Sequence, residues 1–469
     1  RSPGMSDPAM HDTDGSRTPD ADGLDPRERR AVAIQRLRWR WRERLQFDAP
    51  VVQACLGAAG LAAGSIFRMR GRRAKALRLE SALHRAALAG FVDRAVERRI
   101  ARARVRPERD LQRHAEPVAP VPATRVFFED PGRLLGKRVL VLKSPDASEK
   151  GVIVVDYFFV FPLLARFFDI DRIASRYHIV LEPSWSGYCE PDLLCLLDRP
   201  FPLFVQAYEP RDIALLERLD SNFIPVPTAA NWWIDHRAFH PIDGAVRDAD
   251  VLFLAAWARY KRHDAFFHAL ARLRRRGERL KVILVGYNGD QRRADIERLA
   301  RYHGVADQME IFERIAPEEI NRQFARVKVN LLWSRREGFN RAIVEGMYAG
   351  VPAILHEGFN YGYRYPYINE QTGAFATEAS LPDRLLEFVR RSRSMDPRTW
   401  VLSHMSPQQA TAVIDASIAA YARQHGEPWT EGRIAVKVTS LDAMAYWDEG
   451  DRDRFAPDHA FRRSMLRGS

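Results

Sequence analysis

Two glutamates, Glu337 and Glu345, stand eight positions apart in the run EGFNRAIVEGMYAGVP. Two cations, Arg259 and Lys261, occur earlier in WARYKRHDAFFHAL. An ionised carboxylate can accept two hydrogen bonds at once, which suits paired hydroxyls. Cations beside the amino end of a helix suit a diphosphate. Gly338 lets a ligand approach the backbone. The amides from Gly338 through Phe339 and Asn340 to Arg341 can receive an anion. The chain has three cysteines, Cys55, Cys189 and Cys195, without metal spacing, which argues against a zinc site or a disulfide scaffold. The D-x-D pairs Asp169/Asp171 and Asp248/Asp250 fall within a helical run and before a strand, and neither lies at a strand's carboxyl end. No metal is expected.

The elements that must position these groups are legible around them. Val327 to Trp333 is a short, branched, apolar run, as expected of a strand covered on both faces. Ser334 to Gly338 is a polar turn, and Asn340 is an N-cap for a helix over Ala342 to Tyr348. Gly350 and Pro352 stop that helix, and Val351 to Leu355 starts the next strand. Glu337 then lies in the loop before the helix and Glu345 in its second turn. Arg259 and Lys261 lie in the loop after the strand Val251 to Ala255. A ligand carrying both a diphosphate and vicinal hydroxyls is a nucleotide sugar.

The 469 residues suffice for two or three domains, and the 46% apolar fraction is globular. The net charge of +12 is unevenly placed. Pro26 to Arg113 hold 23 Lys and Arg against 8 Asp and Glu, while the remainder holds 50 against 53. The basic character therefore belongs to an N-terminal region and not to the presumed catalytic body. Residues 1–25 read as disordered, being rich in Asp, Gly, Ser and Pro. In Arg27 to Phe47 arginines alternate with Leu37, Trp39, Trp41 and Glu43; helix and strand both fit. Such a segment suits an anionic membrane surface, nucleic acid or plain solvation. Ala49 to Phe67 has no charge over 19 residues, which leaves a membrane span, an interfacial segment and a buried helix open. Arg70 to Arg106 is helical by spacing, and Pro107 to Pro122 is a linker.

Strands at Arg138–Lys143, Gly151–Asp156, His178–Glu182 and Leu203–Gln206 alternate with helical runs, which implies a parallel, doubly wound sheet. The loops Ser184–Glu190 and Tyr208–Asp212 follow strands and are candidate cleft loops; Glu182, Glu190, Tyr208 and Glu209 are weaker candidates there. The proline-containing run Phe223 to Pro241 is the expected hinge. A second strand–helix series follows it, and the charged end from about Asp448 is expected to be loose. The expected domains are a disordered 1–25, a basic helical membrane-associating region and linker over 26–122, an N-terminal acceptor domain over 123–240, a C-terminal donor domain over 241–425, and a terminal segment over 426–469.

The run EGFNRAIVEGMYAGVP, with its E-x7-E spacing, resembles the signature of family-4 retaining glycosyltransferases of the GT-B fold. WARYKRHDAFFHAL resembles that family's basic loop and helix, NWWIDHRAFHP its interdomain connector, and INEQTGAFA its late loop. The resemblance covers Phe223 to Phe388. It implies an α/β GT-B fold, two Rossmann-like doubly wound domains facing a cleft, here with an Arg-rich helical N-terminal extension. It further implies that Glu345 holds the ribose hydroxyls, that Glu337 faces the donor sugar, and that Arg259 and Lys261 neutralise the diphosphate, with Arg262 as a substitute for Lys261. Gly338, Phe339, Asn340 and Arg341 would contact sugar and phosphate. The activity implied is metal-independent hexosyl transfer, with retention, from a nucleoside-diphosphate sugar to a lipid-linked, glycolipid or polysaccharide acceptor, without a cofactor. Taken with the basic N-terminal region, the expected setting is cytoplasmic, peripheral at the inner face of an anionic membrane; nucleic acid is not an expected partner. The loop SPDASEKG has one Gly where the family has a glycine-rich loop, and Tyr208–Glu209 stand where a His is usual. Those departures support an alternative, a catalytically inactive GT-B-like binding or scaffolding protein.

Overall fold

The computed structural model describes residues 23–104, 124–440 and 443–466. The expectations of disorder over 1–25 and of a linker over 107–122 fall almost wholly outside the described residues. Asp25, which is described, is a helix cap: its carboxylate accepts the Arg27 and Glu28 amides at 2.7 and 2.8 Å at the start of helix α1, Pro26–Phe47. The basic segment is therefore a helix. The uncharged run is helix α2, Pro50–Met69. Arg70 to Arg106 divides into α3, Arg73–Ala86, and α4, Gly90–Arg104, separated at Ala87 in the left-handed region.

The first sheet takes β1 (Val139–Lys143), β2 (Gly151–Asp156), β3 (Tyr177–Glu182), β4 (Leu203–Gln206) and β5 (Phe223–Val226) in that order. Pairs from β2 to β5 are parallel, but β1 runs antiparallel to β2. The connection Ser144–Lys150 is too short for a parallel crossover, which needs a dozen or more residues. The strand order never reverses, so this sheet is Rossmann-like without the double winding expected of it. It takes part of its cover from the C-terminal end of the chain. The helix Pro407–His425 brings Tyr421 against His178 and Phe204, so a domain boundary at 425 does not follow the packing. The end expected to be loose is also docked. Asp458 accepts the Ser144 hydroxyl at 2.6 Å and the Tyr177 hydroxyl, and the buried Arg462 donates to the Val139 carbonyl at 3.1 Å. Phe223–Val226 belongs to the sheet edge, so the hinge begins after it.

The second sheet contains β6 (Val251–Leu254), β7 (Val282–Gly286), β8 (Met309–Glu313), β9 (Val329–Leu332), β10 (Ala353–His356) and β11 (Gly373–Ala376). Its order is β11-β10-β9-β6-β7-β8, parallel throughout. The order reverses between β6 and β9. That is double winding, and the crevice beyond the carboxyl ends of those two strands is where such sheets bind ligands. Together the two sheets and the cleft between them make a GT-B architecture.

A small antiparallel hairpin, β12 (Lys437–Thr439) and β13 (Met444–Tyr446), returns to the cleft from the C-terminal side. The N-terminal helices bridge both domains. Helix α1 meets the second domain through Glu43–Arg262 at 2.6 Å, Asp48–Arg335 at 2.8 Å and Arg36–Asp264. The α3–α4 pair meets the first through Arg218–Glu97 at 2.8 Å, Arg211–Asp93 at 3.2 Å and Arg85–Glu190.

Candidate functional site

The loop after β6 and the loop after β9 leave adjacent strands at the switch point, so their side chains converge. Lys261 Nζ lies 2.7 Å from Glu337 Oε1, and both side chains are buried. Glu337 is held on three further sides. The Ser334 hydroxyl donates to Oε1, Asn340 Nδ2 donates to Oε2 at 2.7 Å, and the Glu337 amide donates to Asn360 Oδ1 at 2.9 Å. Asn340 also caps the Arg341–Tyr348 helix by accepting the Ile343 amide at 3.1 Å. One residue thus orients the carboxylate and leaves the helix's first amides at the crevice. One turn on, Arg341 Nε lies 3.3 Å from Glu345 Oε1. Burial pushes the Glu345 carboxyl up from its ordinary range, and Arg341 opposes that shift.

Lys261, Glu337, Asn340, Arg341 and Glu345 line a cavity of about 1280 Å³. Its second-domain wall includes Lys261, Glu337, Arg341, Glu345 and also Arg314. The opposite wall comes from Ser184 and from Thr439 and Ser440 of the C-terminal hairpin. Behind it the Lys437 ammonium, fully buried, pairs with Glu182 at 2.6 Å and bonds Thr439 at 2.9 Å. Burial lowers the Lys437 pKa while Glu182 opposes that shift.

Three expectations are corrected. Arg259 is not in the cluster. Its guanidinium is partly exposed, 3.4 Å from Asp290 and over the Trp39 ring of α1 at 4.6 Å. The 3-10 turn over Arg259–Lys261 sends these two side chains to different sides. Arg262, the expected substitute for Lys261, is left-handed and turned to Glu43 and Glu378. Gly338 does not leave room for a ligand on its α-carbon side. It forms an antiparallel bridge with Trp185 of the first domain, and a Cβ there would collide with the Ser184 carbonyl oxygen. Its missing side chain serves the approach of the two domains.

Among the weaker candidates, Glu209 is a buried link between domains. It accepts Asn360 Nδ2 at 3.2 Å and the Tyr365 hydroxyl, and burial together with Asp212 pushes its pKa up to about 8. Tyr208 stacks on Tyr365 and Tyr367, and Glu190 pairs with Arg85. Three of the four D-x-D carboxylates have structural partners: Asp169 caps its helix, Asp248 pairs with Arg326 and Asp250 with Lys328. His236 packs on Tyr348 and Trp447.

Four contributors escaped sequence reasoning. Arg314 follows β8, a carboxyl strand end that could have flagged it. Asn360, Lys437 and Thr439 carry no local signal, because their neighbours in the site are distant in sequence.

Residues 237–392 match the family model described as glycosyl transferases group 1. Comparison with curated proteins gives no match. Among solved structures the chain is similar to sucrose-phosphate synthase from Thermosynechococcus elongatus, at 16% identity over 66% of this chain and 82% of that one, TM-score 0.46. It is also similar to Alr3699/HepE of Anabaena in complex with UDP-glucose, at 11% identity over 58% and 78%, TM-score 0.44. A third is the C-terminal domain of LpcC, a glycosyl transferase group 1 family protein of Francisella tularensis, at 15% identity over 37% and 98%, TM-score 0.32.

Proposed function

We propose that the protein transfers a sugar from a nucleoside-diphosphate sugar, with retention at the anomeric carbon and without a metal, to a lipid-linked, glycolipid or polysaccharide acceptor at the cytoplasmic face of a membrane. The observation that carries this reading is the Lys261–Glu337 pair at 2.7 Å, buried at the switch point beside a helix amino end. Glu345, in the family-4 manner, holds the ribose hydroxyls. Glu337 accepts hydroxyls of the donor sugar, and its fixed hydrogen bonds to Asn340 and Ser334 set the direction of its lone pairs. Lys261, Arg341 and Arg314 face the diphosphate together with the amides of Gly338 to Arg341.

In the reaction the bond between the anomeric carbon and the leaving phosphate oxygen breaks. An acceptor oxygen bonds to that carbon on the same face and gives up its proton to the departing phosphate oxygen. Charge grows on the departing phosphate, so a cation and amides already in place stabilise the transition state more than the ground state. Glu337→Gln keeps the shape and one acceptor oxygen but removes the charge that holds Lys261. Transfer from UDP-, GDP- or ADP-sugars, followed by product analysis, is expected to fall by about 10²–10³. Full turnover by Glu337→Gln would remove the assignment, and donor binding without turnover by the unsubstituted protein would favour a binding module.

A further inference from the structure

Helix α2 is built inside out. Its glycines face inward: a Cβ on Gly60 would lie 2.7 Å from Leu83, one on Gly64 would lie 2.9 Å from Glu80, and one on Gly57 would collide with Val92. These close approaches bind α2 to α3 and α4. The opposite face carries Val51, Val52, Cys55, Leu56, Ala58, Ala59, Ala62, Ile66 and Met69, all exposed and none charged. Val51 is 75% and Met69 79% exposed. Spacings of three and four put this series on one side of the helix. Helix α1 repeats the pattern. Arg36, Trp39, Glu43 and Phe47 turn toward the second domain, while Ile34, Leu37, Trp41 and Leu45 form an outward stripe, with Trp41 56% exposed. No described segment covers either stripe, and residues 1–22 have no large apolar side chain beyond Met5 and Met10 to do so.

Charge identifies the occupant. Pro26 to Arg72 hold 11 arginines and three carboxylates. Two of those carboxylates, Glu43 and Asp48, are turned inward to Arg262 and Arg335. Arg30, Arg38 and Arg42 are exposed beside the α1 stripe and pair with no carboxylate among the described residues. Apposing two copies on these faces would bring the arginine rims together, which disfavours a dimer. An apolar stripe edged by arginine and tryptophan fits the boundary of an anionic bilayer, where rings sit at headgroup depth.

We infer that α1 and α2 form a docking surface for an anionic lipid leaflet, with α2 lying in the interface on its apolar face and not crossing. A crossing helix would carry its inner neighbours into hydrocarbon, including Glu80 and Arg99, which pair at 2.6 Å next to Gly64. Buried charges of that kind are costly in a bilayer. The docked helices also hold both domains, so lipid contact orients the cleft relative to the surface. This inference stands apart from the catalytic reading, because its observations involve no cleft residue.

The test is co-sedimentation of the full chain with phosphatidylglycerol-containing and with pure phosphatidylcholine vesicles. Cys55, the exposed cysteine, carries an environment-sensitive dye. The expected result is binding to the anionic vesicles, weakened at least about tenfold by high salt or by neutral lipid, with a blue-shifted dye and release by alkaline carbonate. The double substitution Trp41→Glu and Ala62→Glu is expected to abolish binding while the circular dichroism spectrum and donor turnover stay unchanged. Equal binding to both vesicle types, or retention of binding by the double variant, would overturn the docking surface. Resistance to carbonate would overturn the in-plane placement. A dimer that shields Cys55 without vesicle binding, or salt-sensitive retention on RNA in place of vesicles, would also overturn it.

Discussion

The two walls of the cleft are built in opposite ways. The polar centre of the second-domain wall is largely local: Glu337, Asn340, Arg341 and Glu345, with Ser334 behind Glu337, lie within twelve consecutive residues, and Lys261 and Arg314 join them from other loops. The facing side is assembled from distant stretches: the Ser184–Trp185 loop and the C-terminal hairpin with Lys437 and Thr439 at the cavity, and the Glu209 loop as a buried link between the domains outside the cavity lining. A local wall rests on one strand–loop–helix unit, whose cap and turn are set by neighbours in sequence. An assembled wall rests on tertiary contacts, so its charged groups are held by each other. The comparison predicts that substitutions in the local wall act on chemistry, whereas those in the assembled wall act first on stability.

The largest stability effect is expected at Lys437. Its ammonium is buried against Glu182, and Lys437→Ala leaves that carboxylate buried without its cation. Breaking such a pair costs about 3–5 kcal/mol. Chemical denaturation should show that loss, and a change below about 1 kcal/mol would break the contrast between the walls.

A smaller effect, read as pH dependence, is expected at Glu209. Its folded pKa is raised to about 8 by burial. A raised carboxyl stabilises the fold fully below its unfolded pKa, and the contribution is lost as pH rises through the folded value. Melting temperature should therefore decline between the ordinary carboxylate range and about pH 8. Glu209→Gln, a neutral mimic that still accepts from Asn360 and Tyr365, should flatten that decline. An unchanged slope in the variant would assign the pH dependence to other groups.

The smallest effect is expected at Arg259, two residues from Lys261 but turned to Asp290 and Trp39. Arg259→Ala should change donor affinity by less than about twofold, as befits an exposed pair worth under about 1 kcal/mol. A large loss in calorimetric titration would place the side chain at the ligand after all.

The same contrast explains what the sequence made legible. Asn340 as N-cap, Glu337 in the loop, Glu345 in the helix and the strands on either side all follow from local rules of capping and apolar runs. The alternation of strands and helices identified two α/β domains. Side-chain direction within the tight turn Arg259–Lys261 did not follow, because a 3-10 turn separates residues two apart onto different sides. Gly338 was legible as a close approach, but the approaching group is Trp185 of the other domain. The return of Pro407–His425 and Ala456–Arg463 to cover the first sheet depends on contacts between segments hundreds of residues apart. Local patterning carries no record of those contacts.

The central claim is that Lys261, fixed by Glu337 at the switch point, grips the diphosphate of an activated sugar. Calorimetric titration of UDP, GDP and ADP into the unsubstituted protein and into Lys261→Ala tests it most directly. At least one nucleotide should bind the unsubstituted protein, and its affinity should fall by about tenfold or more in Lys261→Ala, as expected for the loss of a buried charged partner. Equal affinity in the two proteins, or no binding by either, would contradict the account.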